Sequence, residues 1–428
     1  MVGKIDSGPG CDSAPIGLAF AIKEKEMRTL LGSVIATVIV LSPLAAFGQA
    51  ATPVDEPAAT PAQHATASPR AVAQTTDSNS APAPTQDSGP KVTLGGFVDT
   101  YYAWDFDRPN DFQRAYTTQP VRHAEFNVNL AYLEAKLSGP RYHGRLALQY
   151  GTSVQANYAG EPHLGSVSGP SVSQFIQEAT VGYQISPSLW LDGGIFFAHL
   201  GYEGWISRDN LTYSRSMVAE FSPYYEAGAK LTWVVSPTLK ATFALINGWQ
   251  DISVYNTPPA GGVRVEYSPT SKLTLSYDDF VGNATADGDP VHLRVYHDLI
   301  AEYKLSDRLQ LAAIISLGTQ TRSTASGNTA VWGGGAVVAK FSATETIAVV
   351  GRVEYYSDPS QVIVVTALPA SFEAIGGSLG VDINLFGPVF WRTEGRILHS
   401  RNAVWPLHTA GAIGPNDSFV VTSLSITL

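Results

Sequence analysis

Leu189-Trp-Leu-Asp-Gly-Gly-Ile-Phe-Phe-Ala-His199, Tyr224-Tyr-Glu-Ala-Gly-Ala-Lys-Leu-Thr-Trp-Val-Val235 and Thr238-Leu-Lys-Ala-Thr-Phe-Ala-Leu-Ile-Asn-Gly-Trp249 follow one another in a single stretch of chain. Each is long enough for one strand. A long polar loop joins the first two, and the dipeptide Ser236-Pro237 joins the last two. In the middle segment Tyr225, Ala227, Ala229, Leu231, Trp233 and Val235 share one parity, and Glu226, Lys230 and Thr232 share the other. A strand turns alternate side chains to opposite faces, so this segment has one apolar and one polar face. Strand, short turn, strand, long loop is the repeat expected of a transmembrane β-barrel.

The repeat extends outward in both directions. Sixteen strands are predicted near 91–104, 123–138, 144–155, 173–185, 189–199, 224–235, 238–249, 260–267, 272–282, 292–305, 308–320, 329–341, 345–356, 371–385, 388–399 and 416–428. Short links such as Gly139-Pro-Arg141, Ser186-Pro-Ser188 and Ser268-Pro-Thr-Ser271 alternate with long loops. Ser, Pro, Gly and Asp suit tight turns. In outer-membrane barrels the short turns face the periplasm and the long loops face outside, which puts both barrel ends on the periplasmic side. Outward-facing residues include Leu146, Leu148, Phe243, Leu245, Leu299 and Val349. In the second strand Phe126, Val128 and Leu130 share parity with Glu134 and Lys136, which predicts a bulge or a shifted boundary. Tryptophans mark the strand ends: Trp190, Trp233 and Trp391 beside short turns, Trp104, Trp249 and Trp332 beside loops. Such placement fits aromatic girdles at two membrane interfaces. A soluble sandwich also alternates, but it requires neither these girdles nor strictly alternating loop lengths.

Composition agrees. The chain has 428 residues, 15% charged, with 39 glycines and a net charge of −10. That balance disfavours nucleic acid as a partner. A single cysteine, Cys11, excludes a disulfide framework. Residues 27–48 read as a secretory signal peptide: Met27-Arg28 starts it, an apolar run through Leu41 follows, and small residues precede Gln49. Residues 1–26 read as an extension ahead of the true start. Residues 49–90, rich in Ala, Pro and Thr, read as a disordered linker on the periplasmic side. The barrel is expected over 91–428.

Polar residues on the inward parity are the candidates for function: Arg145, Glu226, Lys230, Lys240, Arg264, Glu266, Arg294, Asp298, Glu302, Arg352, Glu354, Arg392, Glu394 and Arg396. In a water-filled lumen such charges set selectivity, or they merely solvate the wall and pair across strands. The loop 200–223 is the best gate candidate. It carries Glu203, Arg208, Asp209, Arg215 and Glu220 beside Trp205, Ile206, Leu211, Met217, Val218 and Phe221. A merely solvated loop needs none of those apolar side chains. This loop is expected either to fold inward and narrow the pore or to pack over the rim. The histidines are scattered, and there is no H-E-x-x-H run or phosphate-cradling glycine loop. No catalytic residues, metal ligands or cofactor are expected.

Several blocks, in order, carry a resemblance: Gly96-Phe-Val-Asp-Thr-Tyr-Tyr-Ala-Trp-Asp-Phe-Asp-Arg-Pro109, Arg122-His-Ala-Glu-Phe-Asn-Val-Asn-Leu-Ala131, Gln155-Ala-Asn-Tyr158 with Glu161-Pro162, Arg208-Asp-Asn210, Ser222-Pro-Tyr-Tyr-Glu-Ala-Gly228 and Leu245-Ile-Asn-Gly-Trp249. The chain resembles the OmpL-like β-barrel porin family over most of 93–428. The resemblance implies an outer-membrane barrel that conducts small hydrophilic solutes or ions by passive diffusion, within lipid and as a possible homo-oligomer. It brings no established site residues to transfer. One departure from outer-membrane barrels in general is the last residue, which is Leu428 rather than an aromatic. Two other readings stand beside the porin: a closed barrel whose loops bind a partner or surface, and an outer-membrane hydrolase.

Overall fold

A computed structural model describes residues 89–163, 165–254, 258–284, 292–321, 329–366 and 371–428. The expected extension, signal peptide and nearly all of the linker lie outside the described residues.

The sixteen wall strands are β1 (Lys91–Asp105), β2 (Phe126–Ser138), β3 (Tyr142–Tyr150), β4 (Ile176–Ser186), β5 (Leu189–Phe197), β6 (Tyr225–Ser236), β7 (Leu239–Ile246), β8 (Ala260–Thr270), β9 (Leu273–Asn283), β10 (Leu293–Lys304), β11 (Leu309–Thr321), β12 (Thr329–Ser342), β13 (Ile347–Asp358), β14 (Phe372–Phe386), β15 (Val389–Ser400) and β18 (Asn416–Thr427). Two short strands, β16 (Trp405–Pro406) and β17 (Ile413–Gly414), pair within the last long loop. The wall strands form one closed antiparallel barrel. β18 closes it on β1, with Phe97 opposite Thr427 and Asp105 opposite Phe419. Closure leaves no unpaired edge, which a spanning sheet in lipid requires.

The expected alternation is present. Leu146, Leu148, Phe243, Leu245, Leu299 and Val349 are exposed on the outer face. The predicted bulge in β2 lies where Asp99 pairs with Leu130 but Thr100 pairs with Val128. Phe126 and Val128 therefore face out, while Leu130 turns in and is buried. Two expectations need correction. The third strand stops at Tyr150, and Thr152–Tyr158 forms a helix instead. Of the six strand-end tryptophans, Trp104, Trp233 and Trp391 are exposed on the outer wall. Trp190 instead packs against the His143 ring, Trp249 packs on Phe280 and Tyr296, and Trp332 is buried. Strand-end position does not specify a face; parity does.

A polar group interrupts the outer face. Tyr277, Asp279 and His297 share the outward parity of the exposed Leu275, Val281 and Leu299. Tyr277 Oη lies 2.7 Å from His297 Nδ1, and Asp279 accepts the Val263 amide at 2.8 Å. Their polar atoms satisfy one another, which lowers the cost of placing them in an apolar wall.

The inner face is not uniformly polar. On β10–β13 it carries Ile300, Ala312, Ile314, Ala336, Val338 and Val350, all buried. Lipid covers only the outside of this wall, so something inside the lumen must cover the rest.

Candidate functional site

The covering element is the loop between β5 and β6, residues 198–224, here called L3. It springs from a glycine pair. Gly194 and Gly228 lie opposite each other in the β5–β6 ladder, with φ of 133° and 155°. A Cβ would meet the Ala179 carbonyl oxygen at 2.0 Å from Gly194, and the Leu245 carbonyl oxygen at 2.2 Å from Gly228. Only glycine fits both the conformation and the space.

L3 turns into the barrel because its apolar residues match the apolar inner wall. Leu211, Met217 and Val218 join one buried cluster with Ile300, Ile314, Val338 and Val350. Each such side chain contributes about 1.5–3 kcal/mol on burial. Trp205 is buried beside the stacked Tyr158 and Tyr225, and its Nε1 donates to Ser153 Oγ at 3.1 Å.

Wall charges then fix the loop backbone. Arg392 donates to the carbonyls of Ser207 and Leu211, both at 2.6 Å, while its Nε meets Asp382 at 2.8 Å. Arg352 donates to the Ser214 carbonyl at 2.6 Å and to Thr212 Oγ1 at 2.7 Å. Glu394 accepts the Ser214 amide at 2.7 Å, and Glu354 accepts the Met217 amide at 2.8 Å. Arg396 pairs with Glu354 at 2.8 Å. At the loop root Arg264 reaches the carbonyls of His199 and Gly201, both at 3.1 Å, and Asp278 accepts the Gly201 amide at 3.1 Å. His199 Nδ1 lies 2.9 Å from Glu226, and its Nε2 lies 2.8 Å from the Asp279 carbonyl. A carbonyl only accepts, so this arrangement favours an imidazolium beside a carboxylate. Burial opposes that charge, but Glu226 and the Asp279 carbonyl outweigh it and hold His199 above the usual imidazole range.

The sequence-derived gate residues therefore divide. Glu203, Arg215 and Glu220, expected at the narrowest point, are buried inside the packed loop. Burial pushes the Glu203 carboxyl up, against the pull of Arg352 and Ser216. Arg215 lies 3.9 Å over the Tyr224 ring, and Glu220 accepts the Thr118 amide at 2.9 Å. Arg208 and Asp209 are only half-buried. Burial raises the Asp209 carboxyl, while Arg208, Arg145, Arg392 and Lys136 pull it down. Arg208 donates to Thr427 Oγ1 on β18, and Ser207 beside it is tied to Asp99 on β1 and Arg392 on β15, so the loop tip lies at the β1–β18 closure, with Lys136 and Arg145 also acting on Asp209.

The lumen candidates divide in the same way. Arg352, Glu354, Arg392, Glu394 and Arg396 point inward but are consumed in holding L3, as are Arg264 and Glu226 at its root. Arg294 lies between Trp249 and Trp332, at 4.9 and 5.5 Å from the ring centres, and Asp298 is buried. Arg145, Lys230, Lys240 and Glu266 lie on the arc β3–β8, away from the apolar wall that L3 covers. Sequence reasoning missed Lys136, Glu134 and Glu178, which form a chain with Arg145. Lys136 meets Glu134 at 2.9 Å, Arg145 meets Glu134 at 2.6 Å, and Arg145 pairs with Glu178. It also missed Asp99, which accepts the Ser207 hydroxyl at 2.7 Å. Correct parity after the β2 bulge would have placed Glu134 and Lys136 inside.

Among the described residues one carboxylate trio, Asp105, Asp107 and Asp417, has metal-ligand spacing. Arg114 already bridges Asp105 and Asp417 at 2.9 Å each, so the trio reads as an ion-pair network.

No curated protein matches this sequence. Solved structures similar to the chain include an anion-selective porin from Comamonas acidovorans, at 13% identity and a TM-score of 0.53 over 79% of this chain and 100% of that one. The outer membrane channel DcaP of Acinetobacter baumannii matches at 13% identity and 0.53, over 79% and 98%. OprB of Pseudomonas putida matches at 10% and 0.53, over 79% and 94%. These likenesses establish the barrel fold. The family model described as "Putative beta-barrel porin-2, OmpL-like" matches residues 91–428, the whole of the barrel, and the chain belongs to that porin family.

Proposed function

We propose that this outer-membrane barrel admits small hydrophilic solutes and ions by passive diffusion, along the passage between L3 and the β2–β8 wall. The observation that carries the reading is the asymmetry of the lumen. L3 packs on the apolar inner face of β10–β13, while the arc β2–β8 carries the ion pairs Lys136–Glu134, Arg145–Glu134 and Lys240–Glu266. Arg208, bonded to Thr427, and Asp209, under the influence of Lys136 and Arg145, are half-buried at the tip of L3 and set the narrowest point. The transport step needs no cofactor and no covalent chemistry. Solutes cross a charged, wetted gap whose width and polarity select among them. The short turns and both barrel ends face the periplasm, where the N-terminal linker also lies. In this reading the barrel assembles as a homo-oligomer within the lipid.

Liposome swelling tests the reading. Proteoliposomes with the purified barrel should swell in small neutral sugars at a rate that falls steeply as sugar size grows and does not saturate with concentration. Absence of swelling with folded, inserted protein would support a closed barrel, a reading to which the deep burial of L3 lends its own support.

A further inference from the structure

The two halves of the lumen treat their charges differently. Beneath L3, cations and anions are buried together: Arg352, Arg392 and Arg396 are as inaccessible as Glu354, Glu394 and Asp382. A solute in the passage meets none of them directly. On the open arc the pairs are unequal. The Lys136 side chain is 54% exposed, and its partner Glu134 is 10% exposed. Lys240 is 30% exposed, and its partner Glu266 is 15% exposed. Lys230 lies directly opposite Asp192 in the β5–β6 ladder, yet Asp192 is taken by His143 Nε2 at 2.5 Å. Among the described residues no carboxylate lies within ion-pair distance of Lys230; its ammonium rests 4.5 Å above the Phe196 ring.

In each pair the carboxylate is the less exposed member and the ammonium the more exposed one. A permeating ion interacts most with charges that reach the water it travels in, and charges covered by protein act on it only as part of a neutral pair. Counting charges along this arc would give near balance, and the whole chain carries a net charge of −10. Exposure breaks that balance in favour of the cations.

We infer that the passage selects for small anions, inorganic or carboxylate, with Lys136, Lys230 and Lys240 as the groups that contact them. This rests on the channel reading above and gives it a sign. Lys230 is the most telling member, because replacing it breaks no ion pair.

The test is the reversal potential of the refolded barrel in a planar bilayer under a potassium chloride gradient. The two ions have nearly equal mobility in water, so any departure from zero reports the channel. The wild type should give a chloride-to-potassium permeability ratio above one. Lys230→Gln should lower the ratio, and Lys136→Glu, Lys230→Glu and Lys240→Glu combined should bring it below one. Arg401→Glu, in an extracellular loop beside Glu373, should leave it unchanged. If the triple variant fails to fold, as judged by heat-modifiable migration, Lys230→Gln still decides. Clear openings with a wild-type ratio below one, or a ratio that Lys230→Gln leaves unmoved, would overturn the inference and leave the channel intact. Inserted protein without openings would overturn the channel reading and this inference with it.

Discussion

Arg392 has the inward parity of a pore-lining charge, yet its guanidinium is spent on the loop carbonyls of Ser207, Asn210 and Leu211. Parity was legible in the sequence; the partner was not, because it lies 181 residues away in the chain. Hydrogen bonds from a charged donor contribute about 1.5–3 kcal/mol each. Arg392→Leu should therefore loosen residues 207–211 while Lys340 continues to pair with Asp382 at 2.6 Å. Hydrogen exchange at those loop amides should accelerate about tenfold or more, since about 1.4 kcal/mol corresponds to one factor of ten. Unchanged exchange in a folded variant would show that apolar packing alone holds the segment. Glu203, Arg215 and Glu220 teach the same lesson: a charge in a loop rich in Trp, Leu and Met is as readily an internal tie as a gate.

At the scale of elements, L3's own residues marked it as a packed loop, folded inward or laid over the rim, without deciding between the two. Its resting place was legible too, in a signal left unused. Leu311-Ala-Ala-Ile-Ile315, Ala336-Val-Val-Ala339 and Ile347-Ala-Val-Val350 are continuous apolar runs. A strand apolar on both parities is covered on both faces. Read that way, β11–β13 demand a cover inside the lumen, and L3 is the apolar loop able to supply it. The helix Thr152–Tyr158 was missed because Leu146-Ala-Leu-Gln-Tyr150 runs into it without a break in polarity. The root of L3 also carries a pH dependence. Its tie is His199, held charged by Glu226 and the Asp279 carbonyl. A histidine whose pKa is raised by folding contributes its hold below the ordinary value of 6.5 and loses it as pH climbs through the raised value. Open-channel current noise should grow as pH is raised through that range. His199→Gln should flatten the dependence, and equal noise across the range in the wild type would contradict it.

At the scale of the whole molecule, strand count, closure and alternation were all present in the sequence, because every strand must solve the same problem of lipid outside and protein or water inside. The division of the inner face into a part covered by L3 and a charged arc was not, since it depends on contacts between L3 and strands far along the chain. That division is the account's central claim, and single-channel conductance of a variant lacking residues 205–218 tests it most directly. Stepwise openings larger than those of the wild type are predicted, because the deletion removes the element packed inside the lumen. Openings of wild-type size from a folded deletion variant would contradict the account and show that L3 does not set the narrowest point.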